Sequence, residues 1–169
     1  MVIWITGLAG SGKTTIGRQV YSKIKEYHIN TVYLDGDVFR EVIGSYGYSL
    51  ENRLIVAKKI SNLCKQLENQ QINVVCSTIS LFNEIHKMNR ENFSEYYEIF
   101  IEVTFDELLK RDQKGLYTQA LKGEIKNVIG VDLSYDIPKQ PNLIIKNNEK
   151  VHLQGNINKI LDLIDFDGK

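Results

Sequence analysis

Short apolar runs rich in β-branched residues alternate along the chain with longer stretches whose apolar positions recur every three to four residues. The runs predict five strands, at 2–6, 31–35, 72–77, 98–103 and 142–146. The longer stretches predict helices over 13–27, 50–70, 83–93, 105–112 and 150–164. In the second of these, Ile60, Leu63, Cys64 and Leu67 share one face. Strands that alternate with helices build right-handed βαβ units, so the expected fold is α/β, a parallel sheet of about five strands with helices on both faces. At 169 residues the chain fits one such domain, spanning 1–169. Segment 113–141 breaks the rhythm. It holds Gly115, Gly123, Gly130 and both prolines, Pro138 and Pro141. It is too irregular for core and too long for a plain connection, and reads as a functional lid, with a tolerated insertion as the bland alternative.

Composition then removes whole classes of function. Hydrophobic residues at 43% and charged residues at 25% describe an ordinary globular protein. Lys+Arg and Asp+Glu number 21 each, so the zero net charge argues against nucleic acid and anionic membranes as partners. No apolar run approaches the roughly 18 residues of a membrane span, and Val2–Ile5 is too short for a signal peptide. Cys64 and Cys76 lack any metal-ligand spacing and read as small core residues of a reduced, cytoplasmic protein. His28, His86 and His152 stand in separate segments and read as surface or packing residues. Tyr96, Tyr97 and Phe100 are expected to pack around the fourth strand. Lys58 and Lys59 read as a solvated helix face, with acceptor phosphates as the alternative.

The strongest local signal is Gly7-Leu8-Ala9-Gly10-Ser11-Gly12-Lys13-Thr14, a GxxxxGK[ST] loop set between a predicted strand and a predicted helix. Glycines let the backbone turn around a phosphate while successive N–H groups point at it from the helix N-terminus. Gly7, Gly10, Ser11, Gly12, Lys13, Thr14 and Thr15 are thus the candidate ATP-binding residues, with Lys13 reaching the β- and γ-phosphates and Thr14 ligating Mg²⁺. The second strand ends in Leu34-Asp35-Gly36-Asp37, with Arg40 one helical turn on. Carboxyl ends of parallel strands line the ligand crevice, so these acids should face the loop. There a carboxylate can order Mg²⁺ or take the proton of an attacking hydroxyl, or it can simply cap the next helix. The third strand ends in Cys76-Ser77 and carries no acid for a motor-type NTPase, which favours a small-molecule kinase.

Together with this loop, Leu34-Asp35-Gly36-Asp37, Gly47-Tyr48-Ser49, Arg53, Ile79-Ser80, Arg111-Asp112-Gln113-Lys114-Gly115-Leu116-Tyr117, Gly123-Glu124-Ile125-Lys126-Asn127 and Gly130-Val131-Asp132 resemble the adenylylsulfate (APS) kinases over about residues 2–146. The resemblance implies a P-loop NTPase fold, MgATP as donor and phosphorylation of a nucleotide's ribose 3′-OH. It makes Asp37 the acid acting on that hydroxyl, and a ligand of Mg²⁺ with Thr14. Asp35, Arg40 and Arg53 fall to the acceptor, the arginines at its 5′ phosphoryl end. Ile79 and Ser80 follow the third strand near the loop, Lys114, Leu116, Tyr117 and Lys126 belong to the lid, and Arg111 to the ATP base. Related kinases are often dimers, so a homodimer is allowed.

The departures from the family gather on the acceptor side. An asparagine that helps bind the acceptor is Val56 here, Ile-Ser-Pro is Ile79-Ser80-Leu81, and the second of two aromatic residues sandwiching adenine is Val128. Tyr48 can supply one stacking face and Val128 cannot supply the other, a loss worth about 1 kcal/mol for a purine. An acceptor with a smaller base and a compact modified 5′-diphosphate fits better. One branch resembling APS kinases acts on cytidine diphosphoramidate in the phosphoramidate decoration of capsular polysaccharides. That acceptor is the first expectation, APS the second, and a non-catalytic nucleotide-binding protein the reading from another class.

Overall fold

The computed structural model of the protein describes residues 1–44, 46–148 and 152–165. Five strands, β1 (Val2–Thr6), β2 (Thr31–Asp35), β3 (Asn73–Thr78), β4 (Tyr96–Glu102) and β5 (Leu143–Lys146), form one sheet in the order β2-β3-β1-β4-β5. Every pairing is parallel, with Val2 opposite both Val74 and Tyr96. A parallel sheet covered on both faces needs apolar side chains on both, which is why β1 reads as the unbroken run Val-Ile-Trp-Ile and is buried throughout.

Alternate residues of β1 serve different cores. Val2 and Trp4 pack with Val56, Ala57, Ile60 and Cys64 of α3 (Leu50–Asn69) and with Ile85 of α4 (Asn83–Asn92). Ile3 and Ile5 pack with Ile16, Val20 and Ile24 of α1 (Lys13–Tyr27) and with Ile157 and Ile160 of α7 (Leu153–Leu163). Burying each of these aliphatic side chains stabilises the fold by about 1.5–3 kcal/mol before entropy is charged against it. Cys64 and Cys76 are free and buried, and His86 is a packing residue whose Nε2 lies 3.2 Å from the Ser80 carbonyl. The described part of the predicted helix over 150–164 begins at Leu153; residues 149–151 lie outside the described residues. No helix among the described residues is long and apolar enough to cross a membrane.

Two helices depart from the sequence pattern. The turn after β2 is a seven-residue helix, α2 (Gly36–Val42), that buries none of its residues and so leaves no apolar period. The lid segment is more ordered than its composition suggests. After α5 (Phe105–Arg111) come a 3-10 turn at Gln113–Gly115 and α6 (Leu116–Leu121). Tyr117, Ala120, Val128 and Ile129 are buried in the same core as Trp4, which corrects the expectation that 113–141 is unsuited to core.

Candidate functional site

All the loops that matter leave the carboxyl ends of the strands, and the loop between β1 and α1 is their centre. Its carbonyls are held by side chains from four places in the fold. Lys13 Nζ donates to Leu8 O at 2.7 Å, Tyr117 Oη to Ala9 O at 2.8 Å, Arg111 Nη1 to Gly10 O at 3.4 Å and Asn147 Nδ2 to Ser11 O at 2.8 Å. In a trans peptide the carbonyl and the following N–H point opposite ways, so each bond also aims an N–H. The N–H groups of Gly10, Gly12, Lys13 and Thr14 have no partner among the described residues and remain for an anion at the start of α1. Gly12, at φ 99°, must be glycine on two counts: the backbone is left-handed, and a Cβ would lie 2.7 Å from Asn147 Nδ2.

Lys13 is buried, and loss of hydration lowers its pKa to about 8 against the opposing pull of Asp37 and then Asp35. A bound triphosphate would restore the preference for the charged amine. Nucleotide affinity should therefore hold below pH 8 and fall as pH rises through it, because binding then requires proton uptake. Titration of the protein with MgAMPPNP at pH 9, in buffers of different ionisation enthalpy, should show about one proton taken up per nucleotide where Lys13 is neutral. No proton uptake would contradict the assignment.

The acids stand beside the loop. Asp35 ends β2 and receives three donors: Thr14 Oγ1 at 3.1 Å, Tyr33 Oη at 3.3 Å and the Asp37 N–H at 3.0 Å. It therefore caps α2 and faces the first turn of α1 at once, so capping leaves it free to serve the site as well. Asp37 is exposed on the first turn of α2, with its carboxylate free of hydrogen bonds and ion pairs among the described residues. Thr14 and Thr15 are also exposed. The carboxylate bonded to Thr14 is thus Asp35, whereas the sequence reading paired Thr14 with Asp37 at the metal. Gly36 lies so close to β3 that a Cβ would meet Thr78 Oγ1 at 2.7 Å, which sets the start of α2 against the Ile79-Ser80 corner. Ser80 is buried with its hydroxyl 3.0 Å from Thr78 Oγ1, and Ile79 is half-buried.

Arg40 and Arg53 converge on Tyr48. Their guanidinium carbons lie 4.8 and 5.1 Å from its ring centroid. Arg40 donates to the carbonyls of Tyr46 and Gly47, and Arg53 to those of Tyr48, at 2.9 Å, and Asn127, at 2.8 Å. Burial first, and then the charge of Arg40, lower the pKa of Arg53. Two cations with no carboxylate bonded to either among the described residues make a positive corner suited to a polyanion. The Tyr48 ring is 55% exposed yet already faces both arginines, so it is not the bare stacking wall expected. Val128 is buried at 5% exposure beside Ala9, Arg53, Ile79, Leu116 and Ile129, around a void of about 20 Å³. Lys58 pairs with Glu84, and Lys59 lies over the Tyr46 ring, so neither is poised for an acceptor phosphate.

The lid is tied down by three aspartates. Asp112 accepts from the N–H groups of Tyr117 and Thr118, Asp132 from those of Asn127 and Val128, and Asp136 from that of Asn83 at the start of α4. Burial keeps the Tyr117 hydroxyl protonated, which makes it a strut from α6 to the loop rather than a substrate contact. Arg111 is likewise spent on structure: it donates to the carbonyls of Asn147 and Asn148 and pairs with Glu107. Lys114 and Lys126 are exposed, and neither side chain has an ion pair or hydrogen bond among the described residues. Among those residues no three His, Cys, Asp or Glu side chains form a metal-binding group. Thr14 and Asp35 nevertheless fit Mg²⁺, which favours one or two hard oxygen ligands alongside phosphates and waters.

Residues 1–146 match the family model for adenylylsulphate kinase. The chain belongs to the adenylylsulphate kinase family. It is 48% identical over 160 residues to the cytidine diphosphoramidate kinase of Campylobacter jejuni, covering 95% of this chain and 94% of that one. It is 32% identical to a probable adenylyl-sulfate kinase of Aeropyrum pernix, covering 97% and 92%. The Mycobacterium tuberculosis APS kinase CysC, solved in complex with AMPPNP and APS, superposes with a TM-score of 0.88 at 28% identity, covering 97% of this chain and 96% of that one.

Set against the APS kinases, the acceptor-side changes divide into two kinds. Val56 is buried in the core at 2% exposure and presents nothing to a ligand, so the polar group is lost rather than replaced. Val128 closes a wall that an aromatic ring would have to re-form by moving Ile79 or Leu116. One residue that holds the phosphate loop was missed from sequence altogether. Asn147 lies just past β5, at the carboxyl end of a parallel strand, and that position was the available signal.

Proposed function

We propose that this kinase transfers the γ-phosphoryl group of ATP to the ribose 3′-OH of cytidine diphosphoramidate, within capsular phosphoramidate synthesis. The observation that carries the acceptor is the 48% identity to the Campylobacter jejuni enzyme over nearly the whole of both chains, against 30–37% for the adenylyl-sulfate kinases compared with it by sequence. The lack of an aromatic ring at Val128 supports the same reading, since a pyrimidine asks less of a stacking wall than adenine.

In this reading Asp37 accepts the 3′-OH proton as the oxygen bonds to the γ-phosphorus and the bond to the β-phosphate oxygen breaks, releasing ADP. Lys13 and the N–H groups of Gly10, Gly12 and Thr14 hold the charge that builds on the phosphoryl oxygens. Thr14 Oγ1 and the Asp35 carboxylate would hold Mg²⁺, which supplies neutralisation of the β- and γ-phosphate charge. Arg40 and Arg53 turn from backbone carbonyls toward the acceptor's 5′ end, and Lys114 and Lys126 remain available to phosphate. An acceptor screen reads this directly: ATP consumption with cytidine diphosphoramidate, CDP, APS and other nucleoside diphosphates. Cytidine diphosphoramidate should give the highest kcat/KM. Efficient turnover of APS with none of any cytidine nucleotide would replace the proposed acceptor by APS.

A further inference from the structure

The inward face of α7 is apolar except at one position. Leu153, Ile157, Ile160 and Ile164 pack toward the isoleucine core of α1 and the sheet, yet Asn156 lies among them at 3% exposure. A buried amide is costly unless its polar atoms are bonded. Asn156 Nδ2 donates to Asn147 Oδ1 at 3.3 Å. That bond fixes which end of the Asn147 amide faces the phosphate loop. The other end, Nδ2, then donates to Ser11 O at 2.8 Å, and the Asn147 backbone is clamped on both sides, by Glu102 O at 2.9 Å and Arg111 Nη2 at 2.5 Å.

We propose that Asn156 and Asn147 form a relay that sets the Ser11–Gly12 peptide of the phosphate loop, making both of them positioning residues for the ATP phosphates. Holding the Ser11 carbonyl toward Asn147 turns the Gly12 N–H the opposite way, where it has no partner among the described residues. The Asn147 amide stands on the Cβ side of Gly12, where an added Cβ would lie 2.7 Å from its Nδ2. Were Asn156 apolar, the Asn147 amide could rotate by 180° and present Oδ1 to the Ser11 carbonyl, two acceptors face to face. The relay thus links α7 to the donor site.

This inference rests on the kinase reading only for its kinetic arm, so the primary measurement is binding of MgAMPPNP by calorimetry, which needs no acceptor. Asn147→Ala and Asn156→Leu should each weaken MgAMPPNP by about tenfold, the net worth of one buried hydrogen bond. The double variant should be no weaker than Asn147→Ala alone, because Asn156 acts only through Asn147. In turnover, KM for ATP should rise by a similar factor while KM for the acceptor stays put. A merely structural role would lower thermal stability and leave the two KM values together. If Asn156→Leu fails to fold, Asn147→Ala, on a surface loop, still decides: nucleotide binding equal to wild type overturns the relay. Multiplicative effects of the two substitutions overturn it as well. Loss of activity on every acceptor with these binding changes intact would instead count against the function proposed above.

Discussion

Replacement of Lys13 by alanine is expected to remove turnover, lowering kcat/KM by at least about 10³-fold while the chain stays folded. The amine is the buried cation of the phosphate loop, and it holds the loop's own Leu8 carbonyl. Burial has already stripped it of water, so its charge acts on a bound phosphate in a medium of low dielectric, where electrostatics count for most. Folding should tolerate the change, because α1 stays anchored through Ile16, Val20 and Ile24, which are buried in the core further along the helix. Circular dichroism with steady-state kinetics checks both halves. Activity within tenfold of wild type in a folded Lys13→Ala variant would remove Lys13 from the chemistry.

Asp37→Asn is expected to lower kcat by about 10²–10⁴, the usual range for loss of a general base, and to leave MgAMPPNP binding intact. The side chain is exposed on the first turn of α2, opposite Lys13, and supports no contact of the fold. The amide keeps shape and removes charge, so an effect on kcat alone isolates proton acceptance. Asp35→Asn should behave differently. It loses acceptors for Thr14, Tyr33 and the α2 cap together, so both nucleotide affinity and stability should drop. Wild-type turnover in Asp37→Asn beside a dead Asp35→Asn would transfer the base to Asp35.

What the sequence revealed and what it hid follows from the range of the interactions. β1, the glycine-rich loop and α1 are contiguous, and both the apolar period and the loop motif are local patterns, so their arrangement was readable. The paired acids were readable because strand ends in a parallel sheet face the ligand. α2 escaped because it buries nothing, and α6 because six residues are less than two turns. Tyr117, Arg111 and Asn147 grip the loop from 108, 101 and 136 residues away, and no local pattern carries such a contact. The family resemblance placed Tyr117 among lid contacts and Arg111 at the ATP base; the fold adds that both also brace the phosphate loop. Val56 was read as the loss of an acceptor-binding asparagine and Val128 as the loss of one aromatic stacking face. An apolar residue replacing a polar one is equally a sign that the position has joined the core, as Val56 has; Val128, in place of an aromatic residue, is buried too.

The acceptor is the centre of this account, and a competition measures it. Wild-type protein is given MgATP with equal concentrations of cytidine diphosphoramidate and APS, and the products are read by ³¹P NMR and mass spectrometry. The account predicts a new phosphomonoester on the ribose 3′ oxygen of the cytidine nucleotide, with APS left largely unreacted. Accumulation of 3′-phosphorylated APS, with the cytidine nucleotide untouched, would contradict it.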